Sequence, residues 1–97
     1  MNERNKKMTT NKRDLKRKIN NICGDLFAEC VATSLSGNPD MENVNALLSS
    51  IIIIQDDYIR RVSHPEPGML PKKYYNELEE SFYKQVEEIV DHIGYLL

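Results

Sequence analysis

The chain has 97 residues, with 13 Lys+Arg against 15 Asp+Glu and a formal net charge of -2. That length fits one domain and excludes a two-domain enzyme; such a domain buries roughly 60–68% of the surface its unfolded chain exposes, enough for one core without staples. Hydrophobic residues at 40% and charged residues at 29% exclude wholesale disorder, and four Gly and four Pro are too few for the tight turns of an all-β domain.

Residues 1–10 read as a flexible basic arm, and residues 11–97 as a single helical domain. The arm has no apolar run after it, so it is no secretory signal. The longest pure apolar run, Ile51 to Ile54, falls far short of the ~20 residues a membrane helix needs. The first helix is expected over 11–35. Its apolar positions Leu15, Ile19, Ile22, Cys23, Leu26, Phe27, Cys30 and Val31 recur every three or four residues and so share a face. Ser36-Gly37-Asn38-Pro39 stops it: Gly37 suits the position after a helix, and Asn38 can cap the next one with Pro39 at its first position.

The second helix is expected over 39–63, with Val44, Leu47, Leu48, Ile51, Tyr58 and Val62 as its stripe, widened by Ile52, Ile54 and Ile59. By local propensity the four isoleucines read as strand, but the flanking period makes them helical. Pro65 ends the helix, because the residue before a proline is pushed out of the α region. A stiff connection from His64 to Pro71 follows. The third helix is expected from about Lys72 to Gly94, with Tyr75, Leu78, Phe82, Val86, Ile89, Val90, Ile93 and Leu97 inward. The fold class is therefore all-α, an antiparallel up-down-up three-helix bundle.

Residues 1–18 carry eight basic and two acidic side chains; residues 19–97 carry five basic and thirteen acidic. An up-down-up bundle gathers Lys12, Arg13, Lys16, Arg17 and Lys18 with Arg60, Arg61, Lys72 and Lys73 at one pole. Asp40, Glu42, Glu87, Glu88 and Asp91 fall in the opposite half. A basic pole can meet nucleic acid or another acidic partner. Its opposing reading is a solvated end, diluted by Asp56, Asp57, Glu66, Glu77, Glu79 and Glu80.

Sites of chemistry are sparse. His64 and His92 sit at opposite poles with no second His or Cys at metal-ligand spacing, so neither a metal nor another cofactor is expected. Cys23 and Cys30 lie on the apolar face as buried thiols, roughly 10 Å apart on a helix and beyond disulfide reach. Two unpaired thiols point to the cytoplasm. Adjacent pairs such as Asp56-Asp57 diverge by about 100°, too far for shared acid–base work. No phosphate loop or nucleophile elbow is present, and no enzyme is expected. The segment His64, Pro65, Glu66, Pro67 is a candidate loop surface for a partner, against the plainer reading of a stiff turn.

Self-association has better support. Ile53 falls opposite the main stripe of helix two, with Ile52 and Ile59 beside the stripe, more apolar surface than one bundle covers. A homodimer is the expected state, with Ile52, Ile53 and Ile59 as its surface.

Leu26-Phe27-Ala28-Glu29-Cys30-Val31-Ala32, Asn43-Val44-Asn45-Ala46-Leu47-Leu48-Ser49-Ser50 and Val62-Ser63-His64-Pro65-Glu66-Pro67-Gly68-Met69 resemble a group of small bacterial proteins of the Bacteroidetes type. The resemblance covers most of the chain from about Leu15. It implies a bacterial cytoplasmic protein and carries over no activity, cofactor or binding residue. The expected function is a non-enzymatic helical protein–protein interaction module that pairs with itself or another protein. The alternative is a nucleic-acid accessory protein using the basic pole.

Overall fold

A computed structural model describes residues 12–96. The arm expected at residues 1–10, and Leu97, lie outside the described residues. Three helices account for most of the chain: α1 Lys12–Ser36, α2 Met41–Ser63 and α3 Pro71–Gly94. No strand occurs among the described residues, and Ile51 to Ile54 are helical.

The helix boundaries have identifiable causes. α1 stops at Ser36, directly before Gly37. α2 is capped by Asp40 rather than Asn38: its backbone is extended (φ -71, ψ 114) and its Oδ1 accepts the Glu42 amide at 2.9 Å. Both residues are good caps, but starting at Asp40 leaves Pro39 outside the helix and brings an anionic cap to the positive helix end. Pro71 is the first residue of α3, where its missing N–H costs nothing.

Between α2 and α3 the chain turns tightly. The Met69 amide donates to the Glu66 carbonyl at 3.4 Å, with Pro67 and Gly68 between them. Gly68 has φ +87, so proline precedes a left-handed glycine, the pattern of a type II turn. The tyrosines that open α3 then close the end of α2. Tyr74 Oη donates to the Arg61 carbonyl at 2.9 Å, and Tyr75 Oη donates to the Val62 carbonyl at 3.4 Å. These carbonyls belong to the last turn of α2, where the His64 amide also donates to the Arg61 carbonyl at 3.3 Å.

Side-chain contacts between each pair of helices fix the antiparallel order. Gln55 Nε2 of α2 donates to Asn20 Oδ1 of α1 at 2.9 Å. Lys18 Nζ of α1 donates to Glu79 Oε2 of α3 at 2.6 Å. The Tyr58 hydroxyl of α2 meets Ser81 Oγ of α3 at 2.6 Å. The core runs between them through Leu15, Ile19, Cys23, Leu26 and Cys30 of α1, Val44, Leu47, Ile51, Tyr58 and Val62 of α2, and Tyr75, Leu78, Phe82, Ile89 and Ile93 of α3.

Two residues expected inside are at the surface: Phe27 is 36% exposed and Val90 is 51% exposed. Each lies at the edge of its helix's stripe, where the neighbouring helix does not reach over it. Ile59, expected on the self-association surface, is half-buried and packed against the core.

Cys23 and Cys30 are free and buried, and burial pushes both thiols above the usual range. Alkylation by a polar reagent should therefore be slow in the native protein and fast after unfolding; rapid labelling of both in the folded state would contradict this packing. A thiol held high in the fold keeps its proton while the unfolded chain ionises near pH ~8.5, so its stabilising contribution, complete below that point, is lost as pH rises through the folded value.

Candidate functional site

The bundle is sharply divided in charge. Its basic pole collects Lys12, Arg13, Lys16, Arg17, Lys18, Arg60, Arg61, Lys72 and Lys73, as the topology demands, but acids are built among them. Arg60 pairs with Asp56 one turn earlier, and Arg61 with Asp57 at 3.0 Å. Lys73 pairs with Glu77 at 3.6 Å, Arg17 with Asp14 at 3.5 Å, and Lys18 with Glu79. With Glu66 and Glu80 counted, nine cations face seven carboxylates. Among the described residues this end is close to neutralised within itself, unlike the uniformly positive surface that phosphate binding uses; Arg4, Lys6 and Lys7 lie outside those residues.

The opposite end is not compensated. Residues 19–59 contain no Lys or Arg, and neither do residues 85–97. The ends of α1 and α3 and the start of α2 meet there, bringing together Asp25, Glu29, Asp40, Glu42, Glu87, Glu88 and Asp91. Among the described residues none of these seven has an ion-pair partner. Among the described residues the side-chain hydrogen bonds between helices also lie towards the other pole, and the acidic half is joined by apolar packing.

That half is open along two seams. Between α2 and α3 a groove of about 470 Å³ has Leu47, Ile54, Ile89 and Leu96 at its base, with Asn43, Ser50, Gln85, Glu88, His92 and Tyr95 around it. His92 Nδ1 lies 2.8 Å from the Glu88 carbonyl; a carbonyl only accepts, so Nδ1 carries the hydrogen. No hydrogen bond joins Ser50 to His92 among the described residues. Between α1 and α3 a second groove, of about 570 Å³, is lined by Ile22, Leu26, Val90 and Ile93, with Asp25 and Glu29 at its edge.

A third surface lies on the outside of α1 and α2. Ile52 is 52% exposed and Ile53 is 66% exposed. The Gln55–Asn20 contact sets the antiparallel register, which places Phe27 level with Leu48, one turn from Ile52. Phe27, Leu48 and Ile52 therefore form an apolar strip along the α1–α2 seam. Ile53 stands apart: its helical neighbours three and four positions away are Ser49, Ser50, Asp56 and Asp57, all polar. The apolar continuity runs through Ile52.

The loop residues His64, Pro65, Glu66 and Pro67 are all exposed. The Pro67–Gly68 reversal keeps them from extending into a longer proline-rich rod. Tyr74 is engaged in closing α2. Burial raises the pKa of its hydroxyl; Arg61 opposes this and Glu66 reinforces it, so the proton it donates stays in place.

Sequence reasoning missed both Phe27 and the acidic groove. The signal for the groove was available in the 41 consecutive residues without a Lys or Arg. The described residues hold no cluster of three or more His, Cys, Asp or Glu able to bind a metal, and no helix among them is long and apolar enough to cross a membrane. Comparison with protein-family models, curated proteins and solved structures gives no match, so the functional reading rests on this chain's own residues.

Proposed function

We propose that the protein is a cytoplasmic, non-enzymatic helical module that works through protein–protein contact and self-associates through the outer face of α1 and α2. The observation that carries the reading is Ile52, a large aliphatic side chain left half exposed in the middle of a long helix, at a level where the Gln55–Asn20 register also sets Phe27 and Leu48. Burying one such side chain is worth roughly 1.5–3 kcal/mol, and a two-fold interface counts it twice. The two free thiols support a reducing compartment.

The nucleic-acid reading is less favoured, because five of the nine cations of that pole are paired with Asp14, Asp56, Asp57, Glu77 and Glu79. Sedimentation of the wild type should give a dimer at micromolar concentration. Ile52→Glu should give a folded monomer, and Ile53→Glu a smaller shift in the same direction. A wild type that stays monomeric at high micromolar concentration overturns self-association through this face. An Ile52→Glu chain that remains dimeric moves the interface elsewhere.

A further inference from the structure

We infer that the groove between the second half of α1 and the end of α3 is a docking site for a basic amphipathic helix of a partner protein. This rests on the interaction-module reading, but it uses the flank of α1 opposite to the self-association strip and does not depend on the dimer.

The floor supplies the apolar half of the match. Val90 is 51% exposed and Ile22 half-buried, over the nearly buried Leu26 and Ile93. From Ile22 to Thr33 the groove follows α1 for eleven residues, about 16 Å or three helical turns at 1.5 Å per residue. A seam between two helices accepts the ridge of a third, and that length admits apolar side chains at positions i, i+3 or i+4, and i+7.

The edge supplies the charge. Asp25 and Glu29 stand one turn apart on the α1 side, with no ion-pair partner among the described residues. Glu87 and Asp91 follow the same spacing on α3, around Val90. The surrounding ends of the three helices carry seven carboxylates, and the nearest cation along α3 is Lys84, one turn before Glu87 and Glu88. A helix lying here is therefore favoured when Lys or Arg flank its apolar ridge, and an acidic helix or a nucleic acid is repelled.

A second copy of the chain is a poor occupant. Five of its nine cations at the opposite pole are paired, the apolar residues beside those of α1, Leu15 and Ile19, are fully buried in its own core, and the exposed Leu70 beside Lys72 and Lys73 is a single side chain. It offers charge without a ridge.

The test is a fluorescence-anisotropy titration with a peptide of about 15 residues patterned in Leu and Lys to form one apolar face, long enough to hold a helix when bound. Its scrambled version of identical composition and a Leu/Glu counterpart are the controls. The patterned Leu/Lys peptide should bind saturably, more weakly as salt rises, and at least about tenfold more tightly than either control. The double variant Asp25→Lys/Glu29→Lys should lose about tenfold in affinity. Glu42→Lys/Glu88→Lys, the same charge change on the α2 and α2–α3 side of that pole, should bind close to wild type. All of these positions are exposed, and circular dichroism checks that each variant is folded.

Equal binding of the scrambled peptide would mean that charge alone is recognised, which overturns the groove. Equal losses from the two double variants would do the same, as would absence of saturable binding. Sedimentation of the same samples separates the remaining occupant: a wild-type dimer that Asp25→Lys/Glu29→Lys dissociates assigns this groove to a second copy and overturns the proposal. Loss of the dimer on Ile52→Glu with peptide binding intact leaves it standing. A monomeric wild type that still binds the peptide removes only the self-association reading.

Discussion

Replacing Phe82 with alanine is expected to remove about 3–5 kcal/mol of stability, the largest effect of any single truncation in the bundle. Phe82 is fully buried near the middle of α3, and its ring packs 5.3 Å from that of Tyr58 across the α2–α3 contact. Truncation loses the burial of the ring, leaves a cavity and forfeits the aromatic contact. For a chain of this size that corresponds to a fall in Tm of about 15 °C or more. Urea denaturation followed by circular dichroism gives the value directly. A loss below about 1 kcal/mol would show that the space closes over, and that the core is looser than its burial indicates.

The second large effect belongs to the hydrogen-bonded ion pair that joins α1 to α3. Lys18 and Glu79 are mostly shielded, with their side chains 29% and 12% exposed, and they meet at 2.6 Å. Glu79→Gln should cost about 1–2 kcal/mol, between the ~0.2–1 of an exposed pair and the ~3–5 of breaking a fully buried one. Partial burial lowers the pKa of the Lys18 ammonium, but the hydrogen bond and charge of Glu79, with Tyr83 beside them, outweigh it and leave the pKa above the ordinary lysine value. The pair's contribution is therefore complete below the unfolded lysine pKa near ~10.4 and is lost as pH rises through the folded value. The stability difference between wild type and Glu79→Gln should hold across neutral pH and narrow above that point. A difference unchanged at high pH would mean that Glu79 acts through packing rather than charge.

These two residues show how far the sequence could be read. Phe82 and Val90 lie eight residues apart, about 80° around the helix, and periodicity alone places both on one apolar face. Periodicity gives a residue's angle on its own helix but not the reach of the neighbouring helix. Phe82 points at α2 and is buried; Val90 lies on the α1 side, where the seam has opened, and is half exposed. Phe27 is misplaced for the same reason. The three helices were legible because their three-and-four spacing persists over more than twenty residues.

The start of α2 was less legible, because Asn38 and Asp40 are equally good caps two positions apart. The charge layout was readable in placement but not in balance. The Asp56–Arg60, Asp57–Arg61 and Lys73–Glu77 pairs follow from a spacing of four, and once they are counted the emphasis passes from the basic end to the acidic one.

The separation of the two ends has a consequence for how the molecule meets its surroundings. α1 is 25 residues long, about 37 Å at 1.5 Å per residue, whereas the Debye length at physiological salt is about 8 Å. Several screening lengths lie between the poles. The ions around one end do not register the charges on the other, so an approaching partner meets either a nearly neutral mosaic or a patch of seven uncompensated anions. The formal charge of -2 describes neither encounter. Lowering the salt until the Debye length reaches about 30 Å would merge the two fields, so that an approaching charged surface meets the whole molecule at once, with its negative charge offset towards one end.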